Sequence, residues 1–259
     1  MEKRQKNPVN PYPKSEIAFG TRAVMEAIQS GREIERILLQ KGEQSDMIHE
    51  LVTEARRQHV PVSQVPIEKL NRVTRKNHQG VIAFLSSVVY ASLDHIINEC
   101  YQRGQEPFLV MVDRVTDVRN FGAIARTAEC LGVHALIIPD KGNARLGGDA
   151  MKASAGALNH IPICRQENLK QTIHYLKSSG VRVVACTEKA EGSLPQQDLL
   201  GPIALLMGSE EDGISEAYLK LTDAAVKIPM TGKIASLNVS VAAAIGLYEI
   251  VRQRGAADA

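Results

Sequence analysis

Residues 107–140 read PFLVMVDRVTDVRNFGAIARTAECLGVHALIIPD. Phe108–Val112 is an unbroken apolar run that ends in a charged turn, the pattern of a parallel strand buried on both faces. In the helix that follows, Phe121, Ile124, Ala125, Ala128 and Leu131 fall on one face. Ala135–Ile138 is a second apolar run. Strand, helix and strand in this order define a βαβ unit, and the pattern continues to the end of the chain. Further strands are expected at HIPICR, VRVVACTE, IALLM and AAVKIPM, with helices at DAMKASAGAL, NLKQTIHYLKSSG and SEAYLKLT. A long Ala-rich helix, LNVSVAAAIGLYEIVRQRG, comes last. The expectation is an α/β domain with a mostly parallel sheet over 106–259.

Working outward, residues 17–87 form a smaller α/β part. GTRAVMEAIQSG is a helix with a glycine stop, IERILLQ a strand, and SDMIHELVTEARRQHV a helix opened by Ser45 or Asp46. PVSQV, a short helix near Ile67–Val73 and GVIAFLS complete an expected α-β-α-β-α-β order. Residues 88–105 read as a linker with one short helix. Residues 1–16, polar with three prolines, read as a disordered leader rather than a secretory signal.

The 259 residues are 44% hydrophobic and 23% charged, ordinary for a globular protein. Aromatics are 4% with no Trp, so a surface of many stacked bases is not evident. The net charge of +2 excludes a highly basic arm or an acidic tail. It is unevenly placed, at +4 over 1–90 and −2 over 91–259. Arg72, Arg75, Lys76 and His78 cluster before the last strand of the first part and, with Arg22, are candidates for phosphate contact. Taken alone, the cluster is better explained by a solvated charged loop.

Cys100, Cys130, Cys164 and Cys186 are too scattered for a zinc site or a disulfide framework. A reducing cytoplasm is the simpler setting. No apolar stretch is long enough for a membrane span. Phosphate-binding glycine loops and the nucleophile elbow are missing from the sequence.

Three strand-exit loops remain, where ligands bind in such sheets. The first, Asp113–Gly122, holds Asn120 as a natural N-cap and leads to Arg126. The second, Met207–Gly213, brackets three acids between glycines. No second acidic cluster completes a metal site there. The third, Ile228–Ser240, carries Ser236, read as the cap of the last helix, and Asn238.

In this order and spacing, NFGAIARTA, MGSEEDGIS and IPMTGKIASLNVSVAAAI resemble the SpoU (TrmH-like) family of RNA ribose 2′-O-methyltransferases, within the SPOUT class. The resemblance spans about residues 17–254, and 17–87 is similar to the ribosomal-protein-like RNA-binding domain found in many members. It implies a C-terminal trefoil knot, S-adenosylmethionine as cofactor, no metal, and a homodimer with its site near the subunit interface. The substrate it implies is an RNA, most closely a guanosine of large-subunit (23S) rRNA. A tRNA substrate and a non-catalytic ribosome-assembly factor are the alternatives.

Carried over by position, Arg126 assists ionisation of the 2′-hydroxyl and Asn120 orients Arg126 or the ribose. Glu210 positions substrate or a catalytic partner, and Ser236 and Asn238 complete the pocket. Thr187, Met207, Gly208, Ile228, Met230, Leu237 and Val239 are the implied cofactor contacts, largely through backbone. The SEEDG loop carries more acid than is usual in relatives.

Overall fold

The computed structural model describes residues 17–257 apart from His59, Ser87, Val89, Arg145 and Glu210; the expected leader lies outside the described residues. The chain divides into two units, one up to residue 87 and one from Val88 onward.

The first unit is a four-stranded sheet with helices on both faces. Its elements are β1 (Ile17–Phe19), α1 (Thr21–Gln29), β2 (Ile34–Gln40), α2 (Asp46–Arg57), β3 (Val62–Val65), α3 (Ile67–Val73) and β4 (Val81–Leu85). The strand order is β1-β4-β2-β3. β4 is antiparallel to both neighbours, and β2 and β3 are parallel. β4 is buried throughout. Its Val81, Ala83 and Leu85 pack with Val24, Ile28, Ile48 and Leu51 of α1 and α2. Its Ile82 and Phe84 pack with Leu70 of α3 on the opposite face. Only a strand covered on both sides dispenses with alternation. β1, three residues long, precedes the order expected from sequence.

The second unit contains α4 (Leu93–Gln102), β5 (Phe108–Val112), α5 (Val118–Cys130), β6 (Ala135–Pro139), α6 (Gly148–Ala153), β7 (Ile163–Gln166) and α7 (Leu169–Ser178). It continues through β8 (Arg182–Cys186), β9 (Gly192–Ser193), β10 (Ile203–Met207), α8 (Glu216–Leu219), β11 (Ala224–Lys227) and α9 (Val239–Ala257). Seven parallel strands lie in the order β7-β6-β5-β10-β8-β11-β9. Alternate residues of each strand face opposite layers. Val110 and Val112 join Phe121, Ile124, Leu247 and Ile250 of α5 and α9. Leu109 and Met111 join Ile96, Ile97, Ile173 and Leu176 of α4 and α7.

The expected linker departs most from expectation. Leu93, Ile96, Ile97 and Cys100 of α4 are buried in the second unit's core. The Ala91 amide donates to the Ile163 carbonyl at 2.9 Å. These residues are a layer of the second domain. Its exposed Asp94, His95 and Asn98 obscure the apolar face in the sequence.

β10 enters the sheet between β5 and β8, after the chain has already built out to β7 on the other side. The order therefore reverses beside β5, the kind of switch point where α/β sheets bind ligands. The loops after β5, β8, β10 and β11 all open at the carboxyl ends of adjacent central strands. Gly246 lets α9 approach β10; a β-carbon there would sit 2.8 Å from Leu205 Cδ2.

Candidate active site

The loops after β5 and β10 form one half of the site. The Asp113 amide donates to the Met207 carbonyl at 2.9 Å, tying the two strand ends together. Asp113 is buried. Arg114, in the left-handed region at φ 56°, turns back on it. Its Nε donates to Asp113 Oδ1 at 3.1 Å and its Nη2 to Asp113 Oδ2 at 3.2 Å. A third bond runs from Arg114 Nη1 to Asp212 Oδ2 at 3.3 Å. Asp113 first, then Asp212, holds the Arg114 guanidinium above its ordinary pKa. Lys189 Nζ donates to the Asp212 carbonyl at 3.2 Å.

The acidic loop is closed on itself. Ser209 and Gly213 exchange backbone hydrogen bonds at 3.1 Å each. The Asp212 amide donates to Ser209 Oγ at 3.0 Å. Gly208 lies against this closure so tightly that a β-carbon would sit 2.2 Å from the Gly213 carbonyl carbon. Part of the loop's unusual acidity is thus matched by Arg114. Glu210 itself lies outside the described residues.

The other half comes from the start of α5 and the approach to α9. Two capping expectations are corrected here. Asp117, not Asn120, caps α5, accepting from the Arg119 amide at 2.7 Å. Asn238, not Ser236, caps α9: its Oδ1 accepts from the Ser240 amide at 2.9 Å and the Val241 amide at 3.4 Å. Ser236 stands further out, on the exposed loop. With its oxygen so engaged, Asn238 donates from Nδ2 to Asn120 Oδ1 at 3.0 Å. Two expected site residues 118 positions apart are thereby joined.

Arg126 does not join them. Six residues beyond Asn120 on α5, it is about 120° away around the axis and roughly 9 Å along it. It is exposed and has no hydrogen-bond or ion-pair partner among the described residues.

A recess of about 60 Å³ lies between the end of β8 and the segment after β11. Thr187, Ile228, Met230, Leu237 and Ser236, all expected site residues, line it. Cys186, Glu188 and Ala242 line it too and were not anticipated. Glu188 follows Thr187 directly at a strand exit, which is the signal that would have found it. The Thr187 amide donates to the Val226 carbonyl at 2.9 Å, so backbone fixes this wall. Burial, with Glu188 adding to it, pushes the Cys186 thiol up to about 11, so it is neutral and inert at physiological pH. Met207, Gly208 and Val239 do not line the recess; Met207 and Val239 are core side chains.

In the first unit Arg22, Arg72, Arg75 and Lys76 are exposed, and Lys76 Nζ lies 5.3 Å from the Phe19 ring centroid. His78 departs from its expected phosphate contact. It is buried, its Nδ1 accepts from the Gly80 amide at 3.1 Å, and its Nε2 meets Asn71 Oδ1 at 3.0 Å. Both ring nitrogens are thus already engaged inside the domain, so neither is presented to a phosphate.

Among the described residues no group of three or more His, Cys, Asp or Glu is placed to hold a metal. No helix of the described residues is long and apolar enough to cross a membrane.

Known proteins resemble this chain in sequence and fold. The profile of the SpoU rRNA Methylase family matches residues 107–248. That of the RNA 2′-O ribose methyltransferase substrate-binding domain matches residues 17–91. A Bacillus subtilis protein, assigned by its name to the TrmH family of tRNA/rRNA methyltransferases, is 33% identical over 91% of this chain and 95% of its own. Two solved structures with bound AdoMet are similar throughout. One is the SpoU methyltransferase AviRb of Streptomyces viridochromogenes, at TM-score 0.59, 28% identity, and coverage of 93% of this chain and 90% of its own. The other is an rRNA methyltransferase of Sinorhizobium meliloti, at TM-score 0.58, 26% identity, and coverage of 92% and 87%. The chain belongs to the SpoU (TrmH) family of RNA methyltransferases, an α/β SPOUT catalytic domain preceded by a small substrate-binding domain.

Proposed function

We propose that the protein transfers a methyl group from S-adenosylmethionine to a ribose 2′-hydroxyl of RNA, a guanosine of 23S rRNA. The observation that carries this reading is the recess beyond β8 and β11, where four expected cofactor contacts converge with Ser236. Ile228 and Leu237 supply apolar flanks for a planar ring, and the main chain of this wall, pinned by the bond from Thr187 to Val226, runs beside its edge. This fits a cofactor held mainly by main chain. At about 60 Å³ the recess grips one part of a ligand, since whole drug-sized ligands occupy pockets of about 300 Å³ or more. Bound cofactor supplies a methyl group already activated on a sulfonium.

The chain must then orient and activate a poor nucleophile. The Asn238–Asn120 pair holds a fixed amide at the head of two helices, suited to orienting the ribose. Arg126 is no base, because a guanidinium offers only donors and no acceptor. Its role is to stabilise the developing alkoxide electrostatically. Glu210 positions the substrate.

Arg126 lies on a different side of α5 from Asn120, which supports a homodimer in which each site takes its arginine from the partner. Val241, Ile245 and Tyr248 on α9 are exposed apolar side chains suited to that contact. The substrate-binding match over 17–91 favours a large folded RNA. The trefoil knot of the SPOUT class is the path we assign to the segment between β11 and α9. We place the reaction in the cytoplasm, in keeping with four free cysteines, three of them buried.

The test uses labelled S-adenosylmethionine with rRNA and tRNA lacking the modification. Label in 2′-O-methylguanosine of large-subunit rRNA, lost in Arg126→Ala, is expected. Label confined to tRNA moves the substrate; no transfer to either RNA or to assembling subunits overturns the reading.

A further inference from the structure

The first unit holds a recess of about 610 Å³, ten times the volume of the one beside β8. It contains none of the residues assigned to methyl transfer. Its walls are chemically divided. Met47, at the start of α2, and Ile67, at the start of α3, both line it, 40% and 41% exposed. They are the only large hydrophobic side chains that exposed among the described residues of this unit. Arg22, in the first turn of α1, lies on the rim. Glu43, Asn77 and Gln79 supply a carboxylate and two side-chain amides.

The floor is rigid. Gln79 and Gly80 both take the left-handed conformation, at φ 49° and 73°, and the Val81 amide closes the turn on the His78 carbonyl at 2.8 Å. Such a conformation is rare for a residue other than glycine and persists only where its surroundings enforce it. The buried His78 ring clamps the turn from below through Asn71 and the Gly80 amide. Gln79 Oε1 accepts from the Thr21 amide at 3.3 Å, which fixes the side chain at the head of α1 and leaves its Nε2 group as a donor.

We propose that this recess binds an unpaired guanosine of the substrate RNA, extruded from a loop. The inference rests on the RNA reading above and adds the nucleotide that the first unit selects. Two exposed apolar side chains without a packing role suit the faces of a base. Single-stranded bases in folded RNA are recognised by stacking and by hydrogen bonds to their Watson–Crick edges. A carboxylate accepts two hydrogen bonds side by side. Guanine alone offers two adjacent donors, N1–H and the N2 amino group, together with an O6 acceptor for an amide such as Gln79 Nε2 or Asn77 Nδ2. Uracil offers a single N–H flanked by carbonyls that Glu43 would repel. Arg22 on the rim matches the phosphate of the same nucleotide, a contact that positions without specifying.

The experiment measures binding of the full chain to fluorescent hairpin RNAs. Their uridine loops carry one guanosine, one inosine, or neither. The guanosine loop is expected to bind about tenfold more tightly than the inosine loop, which lacks the N2 amino group. Glu43→Gln should make the two equal. Met47→Ser with Ile67→Ser should weaken the guanosine loop about tenfold and leave the all-uridine loop unchanged. Both positions are exposed, so the fold tolerates the change. Equal binding of all three loops by the unaltered protein overturns the proposal. So does a guanosine preference that survives Glu43→Gln, or binding that only Arg22→Ala weakens, which would mark a phosphate-only surface. Methyl transfer assayed on the same samples separates the two readings. Transfer without guanosine preference sinks only the recess, and preference without transfer to any RNA sinks only the catalytic assignment.

Discussion

The loop after β10 and the loop after β11 leave the same end of one sheet, yet they are held in opposite ways. The first is closed by paired backbone bonds between Ser209 and Gly213 and stapled outward through Asp212 to Arg114 and Lys189. The second presents Met230, Ile234 and Leu237 to solvent, with Ile234 78% exposed. A site that must hold a scissile arrangement to within a fraction of an ångström needs one preformed wall. A site that must admit and release a cofactor and a large RNA needs one wall that closes on the ligand. The first loop is expected to serve as the preformed wall and the second as the one that closes.

The largest way to break the contrast is Gly208→Ala. Its β-carbon would meet the Gly213 backbone at 2.2 Å. Backbone cannot swing aside as a side chain does, so the closure must open. A loss of about 3 kcal/mol is expected, seen as a fall of roughly 6–12 °C in the thermal midpoint. Methyl transfer should disappear with it.

Next comes Asn238, which ties the end of the second loop to α5. Asn238→Ala removes the cap of α9, worth about 1 kcal/mol, and the bond to Asn120. Asn238→Asp keeps the capping oxygen and places a carboxylate at a helix start, where it is favoured. It loses only the Nδ2 donor. Both variants should lose about a hundredfold in turnover, the scale of a misplaced reacting group. Only the alanine variant should lose stability. A fully active aspartate variant would show that the amide pair does no more than hold the helix.

The reach of sequence reading follows from these particulars. β5, β8 and β10 were legible because burial on both faces leaves continuous apolar runs. β1 and β9, of three and two residues, leave no pattern to find. The α5 cap was misplaced because Asp117 and Asn120 are both capping residues, one turn apart, and only the helix's true start separates them. His78 looked like one more member of a basic cluster; its burial is decided by Asn71 and Gly80, through turn geometry that charge counting ignores. The meeting of Asn120 with Asn238 depends on the whole sheet order, which no local window displays. The resemblance assigns both residues to one site without pairing them, and the structure supplies the bond.

On the open wall, Leu237→Ala should leave stability nearly unchanged, because the side chain is 38% exposed and unpacked. It should raise the dissociation constant for S-adenosylmethionine about tenfold, the worth of a lost apolar contact of that size. Adding the cofactor should slow hydrogen exchange across 229–238 and leave 208–213 as it was. Equal protection of both loops would erase the distinction between them.

The smallest effect lies in the staple itself. Asp212 is 70% exposed in its pair with Arg114, whereas Asp113 is almost wholly buried. The two carboxylates share one guanidinium but not one dielectric. Asp212→Asn removes a solvent-screened attraction, worth about 1 kcal/mol or less. The difference from the unaltered protein should vanish as salt approaches about 1 M, where the screening length is only about 3 Å. Arg114→Ala strands the buried Asp113 charge instead, a penalty that salt does not reach, so its effect should be larger and persist. If the two variants lose stability equally and with the same salt dependence, Arg114 holds the loop through Asp212 alone. The preformed wall would then be a surface contact and not an extension of the core.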